Sequence, residues 1–150
     1  MADITLTADD ALKLSAQFRG ASTALGDYLY APENWPKIPE KERATLQSLE
    51  VTLLNVASDL VTRAVGVIIR EAEESVADLI EATGHARDAI KTIDNVTRTI
   101  TVVTAMIGLA AVIPTGNAGA IFGALNNLRS ASKGEQTTKA KKAKEAKAAK

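Results

Sequence analysis

The chain of 150 residues contains no cysteine. Disulfides, thiolate nucleophiles, iron–sulfur clusters and cysteine-ligated zinc are therefore excluded. Histidine is almost absent: His85 stands alone, and Glu81 four residues before it cannot complete a di-iron set, which needs two Glu-x-x-His pairs. A surface or hinge position is the expectation for His85. Serine and threonine have no general base beside them other than this one histidine. No glycine-rich loop is followed by Lys-Ser/Thr, and no dinucleotide fingerprint follows a strand. The expectation is a non-enzymatic protein with no cofactor, no metal and no small-molecule substrate. The N-terminus, MADITLTADD, has acid and no basic stretch ahead of an apolar run, so it is not a conventional secretion signal. Synthesis in the cytoplasm is expected, with membrane association or a place in a particle left open.

Aromatic residues are scarce, with two Phe, two Tyr and one Trp. The apolar 46% of the chain is mostly Ala, Val, Leu and Ile. This composition suits close helix–helix contact better than a β-sandwich. The fold expected is all-α: an N-terminal helix packed on a long helix, then a short apolar helical hairpin and a disordered Lys/Ala-rich tail. Residues 1–131 form one helical domain in this reading and 132–150 a flexible basic tail.

Thr7 can cap the free amides of a helix start, with Asp10 in its first turn. Ala11, Leu14, Phe18, Ala21, Leu25 and Tyr28 then recur in steps of three and four. This predicts a helix over 8–30 with a heptad seam. Three of the four prolines fall in APENWPKIP, residues 31–39, which reads as a loop. Trp35 within it covers the joint between two helices or acts as an interfacial anchor. From residue 40 the seam resumes at Leu46, Leu49, Leu53, Val56 and Leu60. Its phase slips at AVGVII, residues 64–69, and it returns at Leu79, Ala82, Ala86, Ala89, Ile93, Val96, Ile100, Val103, Ile107 and Ala110. A rod over 40–113, continuous or gently kinked at Gly84, is expected, with two helices folded back at residue 84 as the alternative; as one helix it would reach about 110 Å. The turn Pro114-Thr-Gly-Asn117 precedes a short helix over 118–131.

Residues 99–128 contain no charge. A spanning helix needs about 20 mostly apolar residues. The run from Ile100 to Ile113 has 14 residues and that from Ala118 to Leu128 has 11. Two readings follow: a hairpin of two apolar helices, or one span kinked at Pro114. Gly108, Gly116 and the spacing Gly119-xxx-Gly123, with Ile121 and Phe122 between, permit close helix approach in a membrane or in a soluble bundle. A hydrophobic hairpin attached to amphipathic helices resembles, in architecture alone, the α-helical pore-forming toxins and colicin-type domains. That resemblance implies membrane insertion and assigns a role to no residue.

The net charge of zero conceals a division. Residues 133–150 hold seven Lys and two Glu, a net +5, so residues 1–132 carry −5. Lys139, Lys141, Lys142, Lys144 and Lys147 form an anionic-partner tail. Its composition resembles the Lys/Ala tails of histone-like and nucleoid proteins, which implies non-specific binding to nucleic acid. Anionic lipid and simple solubilisation are the other readings. Glu71, Glu74, Asp78 and Glu81 step by three, four and three and so are expected to share one helix face, with Glu73 beside them. That face reads as a solvated stripe, a dock for a basic partner, or a dock for the tail itself.

The seam is longer than the first helix covers, so self-association is expected. The leading functional reading is a self-assembling helical protein whose apolar hairpin engages a membrane, by pore formation, remodelling or anchoring. The first alternative is a soluble coiled-coil subunit of a filament, shell or phage-like assembly. The second is a nucleoid-type DNA binder acting through the tail.

Overall fold

The computed structural model describes residues 2–72, 74–92 and 95–133. It is mostly helical, as the composition and periodicity predict. Five helices carry it: α1 (Ala8–Tyr30), α2 (Glu40–Arg63), α3 (Val76–Thr92), α4 (Val96–Val112) and α5 (Ala118–Lys133). Two short strands, β1 (Ala2–Thr5) and β2 (Ile68–Ala72), pair antiparallel.

Helix α1 begins where the cap chemistry places it. The Thr7 hydroxyl accepts the Asp10 amide at 3.1 Å, and the Asp10 carboxylate accepts the Thr7 amide at 2.9 Å. This reciprocal pair satisfies two amides that the helix cannot. Leu14, Phe18 and Leu25 are fully buried, and α1 lies against both α2 and α3. The 31–39 segment is a loop with one 3-10 turn, Trp35–Lys37. Trp35 stacks on Tyr30 with centroids 5.6 Å apart, and the Arg43 guanidinium sits 4.6 Å above the indole. The tryptophan thus closes the α1–α2 joint, the structural one of its two sequence readings. Leu46, Leu53 and Leu60 of α2 face the core, with Leu49 half-buried at its edge.

The expected rod over 40–113 is not one helix. Helix α2 ends at Arg63, and Gly66 takes a left-handed φ of 82°. The chain then returns as β2, where Ile4 pairs with Ile69 and Thr5 with Ile68. The slip of phase at 64–69 marks this change from a 3.6-residue to a 2-residue period. The sheet bulges between Ala2 and Ile4; on its other strand Glu71 has φ 52°, and its amide donates to Asp3 Oδ1 at 2.9 Å. Helix α3 restarts on a second reciprocal cap, Ser75 with Asp78. Helix α4 starts on Asn95, whose side chain accepts the Arg98 amide at 3.0 Å. The interruption expected at Gly84 is absent: Gly84 is buried mid-helix in α3, beside Gln17 of α1. Ile93 and the tail lysines Lys139, Lys141, Lys142, Lys144 and Lys147 lie outside the described residues.

One connected apolar core runs through all five helices. Helix α4 packs on α2, α3 and α5, and α5 packs on α3 and α4. At 17 residues each, α3 and α4 reach about 25 Å apiece, which lets them fold back where a rod could not.

Candidate functional site: the uncharged α4–α5 hairpin

Helix α4 continues through a 3-10 turn, Ile113–Thr115, that holds Pro114 in its first turn, where the missing amide costs nothing. The helical run Val96–Thr115 is therefore 20 residues long, with mean hydropathy 1.9. It ends two residues later than the expected boundary at 113. At 1.5 Å per residue the run measures about 30 Å, the thickness of a bilayer's hydrocarbon core.

The inward face of α4 is Thr99, Val102, Val103, Met106, Leu109 and Ala110, followed by Ile113. Sequence spacing places the seam on Ile100, Val103, Ile107 and Ala110. Ile100 and Ile107 instead flank the buried face, half-exposed. The seam of α3 does not carry into α4, because Asn95 begins a new helix with its own orientation.

The outward face of α4 is the line Thr97, Thr101, Thr104, Gly108, Ala111 and Thr115, in steps of four and three. Only 39% of the most apolar 18-residue window is buried. Three of the threonine hydroxyls in this stretch are satisfied by the helix's own carbonyls. Thr99 donates to the Asn95 carbonyl, Thr101 to that of Thr97, and Thr115 to that of Val112. Nothing lies within 4 Å of a Cβ built on Gly108.

Helix α5 repeats the pattern. It starts on Asn117, whose side chain accepts the Ala120 amide at 2.9 Å. Ile121, Leu125 and Leu128 face inward, while Phe122 is half-buried. Gly119, Ala120 and Gly123 face outward, and a Cβ at Gly123 would meet open space. The Gly-xxx-Gly face is thus turned away from α4 rather than used in the α4–α5 contact. The exposed face of α5 continues through Asn126 and Asn127 to Lys133, so its small, uncharged part is confined to the first two turns.

At the turn, Gly116 has φ 68°, and a Cβ there would lie 2.6 Å from the Ile68 carbonyl oxygen. Only glycine fits this close approach in this conformation. At the other end of the hairpin sit Arg98, Arg129 and Lys133. The hairpin therefore has an uncharged tip and a cationic base. Arg129 is held by Glu74 through contacts of 2.7 and 3.5 Å, which fastens α5 to the start of α3. The Glu74 hydrogen bond holds the guanidinium above its ordinary pKa. Arg98 Nε is buried with no partner among the described residues.

The acidic stripe separates into different roles. Glu71 belongs to β2, so the four acids do not share one helix face. Glu74 binds Arg129, and Asp78 caps α3. Hydrogen bonds from the Ser75 amide and hydroxyl, in that order of weight, hold the Asp78 carboxyl below its usual range. Glu81 and His85 are 4.0 Å apart on the exposed face of α3. With Asp78, Arg129, Ser132 and Lys133 they line an α3–α5 cleft of about 320 Å³. Among the described residues no group of three or more His, Asp or Glu side chains is placed to hold a metal ion.

No protein-family model matches the chain. No curated protein and no solved structure matches it either. Sequence reasoning located the segment and its buried Val103 but missed Val102, Met106 and Leu109, which are buried as deeply. The Asn95 cap was the signal that resets the helical phase.

Proposed function

We propose that this protein is a non-enzymatic, self-assembling helical protein that engages a membrane through its α4–α5 hairpin. The observation that carries this reading is the 20-residue run Val96–Thr115, with mean hydropathy 1.9 and 39% burial. A core helix of a soluble bundle ordinarily presents charged or polar residues to water along its outer stripe. This helix presents Thr, Gly and Ala, with no charge beyond its first turn. Once α5 leaves Glu74, Arg129 joins Arg98 and Lys133 in attracting anionic lipid, about 1 kcal/mol per basic residue near the surface. Insertion requires α4 to leave α2 and α3, the tip to leave Ile68 of β2 and α5 to leave Glu74. The small outward faces of α4 and α5 then serve helix–helix contact between copies.

The test is flotation of the full chain with phosphatidylglycerol vesicles at low salt, with dye release measured in parallel. Co-flotation and leakage support the proposal. Protein left in the soluble fraction refutes it.

A second reading, a soluble structural assembly, has its own observation. Val51 and Leu54 on the outer face of α2 are 56% and 47% exposed, one turn apart. Such a pair suits a coiled contact between copies. It requires a detergent-free oligomer by native mass spectrometry, and a monomeric mass removes it.

A further inference from the structure

The C-terminal ends of α2 and α4 leave a groove of about 450 Å³ between them. Its floor is apolar: Leu60 and Ala110 are buried, and Val56 and Pro114 are half-exposed. Asp59 and Arg63 stand on one rim, Ala111 and Thr115 on the other. The two charges are four apart on α2, acid first, the arrangement that ordinarily favours an ion pair. They form none, and neither has a charged partner among the described residues. Two opposite, exposed charges thus stand one helical turn apart at the mouth of an apolar slot. The slot falls within the usual size range of small-ligand sites, roughly 300–1,000 Å³.

We infer that this groove binds a zwitterionic phospholipid, with its ammonium against Asp59, its phosphate against Arg63 and its acyl region along Leu60, Ala110 and Pro114. The inference rests on the membrane reading and gives the folded chain a specific lipid contact before insertion, while α4 is still packed on α2. Charge complementarity selects the headgroup: a carboxylate and a guanidinium one helical turn apart match a molecule carrying both signs. Hydrogen bonds between ionised groups are the strong ones, and guanidinium suits phosphate geometry. Continuity selects a lipid over a water-soluble zwitterion. Ala111 and Thr115 belong both to the groove and to the outward line of α4, so an acyl chain leaving the slot continues along the uncharged face. The hairpin's base attracts anionic lipid through net charge, whereas this groove, near its tip, recognises a headgroup of zero net charge.

The experiment titrates the isotope-labelled full chain with dihexanoyl phosphatidylcholine below its micelle concentration, following backbone amide shifts. Saturable shifts confined to residues 59–63 and 110–115 are expected. Affinity falls about tenfold in Arg63→Gln and in Asp59→Asn, the scale of one lost charge-assisted contact. Both residues are exposed, so these variants keep the fold. Dihexanoyl phosphatidylglycerol, which has the same chains and no ammonium, binds as weakly as Asp59→Asn binds phosphatidylcholine. Phosphocholine without chains gives no saturation over the same range. The inference is overturned by an absence of saturable shifts, by equal affinity across both lipids and both variants, or by equal binding of the chainless headgroup. It is also overturned if the same shifts arise from raising protein concentration alone, which would assign the groove to a second copy. Arg63→Gln still floats with phosphatidylglycerol vesicles, so failure of the groove and failure of membrane binding are read separately.

Discussion

Helices α1 and α4 are both amphipathic by burial, yet they meet water in different ways. Helix α1 buries Leu14, Phe18 and Leu25 and turns Asp9, Lys13, Arg19 and Asp27 outward. Helix α4 buries Val102, Met106 and Leu109 and, beyond its first turn, turns only uncharged residues outward. The inner faces are interchangeable in kind, so the core alone does not distinguish the two helices. The outer faces do, because an outer stripe is free of packing constraints and its composition records what it meets. Water accepts either stripe, whereas lipid accepts only that of α4.

A set of substitutions and one pH titration test this contrast. Phe18→Ala empties a site at the centre of α1. It is expected to lower folding stability by about 3–5 kcal/mol, read by urea denaturation. Gly108→Lys places a charge at the middle of the outer stripe of α4. Insertion is expected to weaken by about 2.5–3.5 kcal/mol, seen as lost flotation and lost dye release. The folding midpoint in urea should hold or rise slightly, since lysine is the better helix former. Ala16→Lys on the exposed face of α1 is the matched control. It should leave flotation, dye release and the urea midpoint essentially unchanged, since lysine is close to alanine as a helix former. If Gly108→Lys inserts as well as the parent, the contrast between the helices has no functional meaning.

Glu74→Gln removes the carboxylate that holds α5. The pair is partly open to solvent, so a loss of about 1 kcal/mol is expected, together with faster dye release. Exchanging the two residues, Glu74→Arg with Arg129→Glu, should restore part of both. Thr7→Ala removes one half of the α1 cap and is expected to cost roughly 0.5–1 kcal/mol in thermal unfolding.

The smallest effect concerns Asp78, whose carboxyl lies below its ordinary value of 3.8 in the folded chain. A depressed carboxylate adds stability above the unfolded value. That stability is lost as pH falls through the folded one. Stability should therefore decline on acidification below 3.8, and Asp78→Asn should flatten that limb of the pH profile.

The beginning and end of the helical body were legible in the sequence. Thr7 with Asp10 and the steps from Ala11 to Tyr28 fix α1, and the proline-rich loop fixes the start of α2. Asn117 marks the start of α5. The middle was not legible, for a physical reason. The apolar steps through 79–110 happen to stay in phase across two separate helices, so periodicity reports one rod where backbone signals impose breaks. Those signals were local and readable: Gly66, the Ser75–Asp78 box and Asn95. The strand pairing was beyond any local pattern, because Ile4 meets Ile69 from the far end of the molecule. The candidate site was legible as an uncharged span, but not its outward line, which depends on how α4 is rotated against α2 and α5.

The turn at the hairpin tip is tied to the start of the chain. The glycine at 116 rests on the backbone of Ile68, and Ile68 is paired in turn with Thr5. The first residues of the chain thus brace the tip of the apolar hairpin through a single intervening strand. Peeling β1 away, by shortening the chain at its start or by fusing a bulky partner there, would loosen a site more than a hundred residues distant, while α1 and its cap stayed in place.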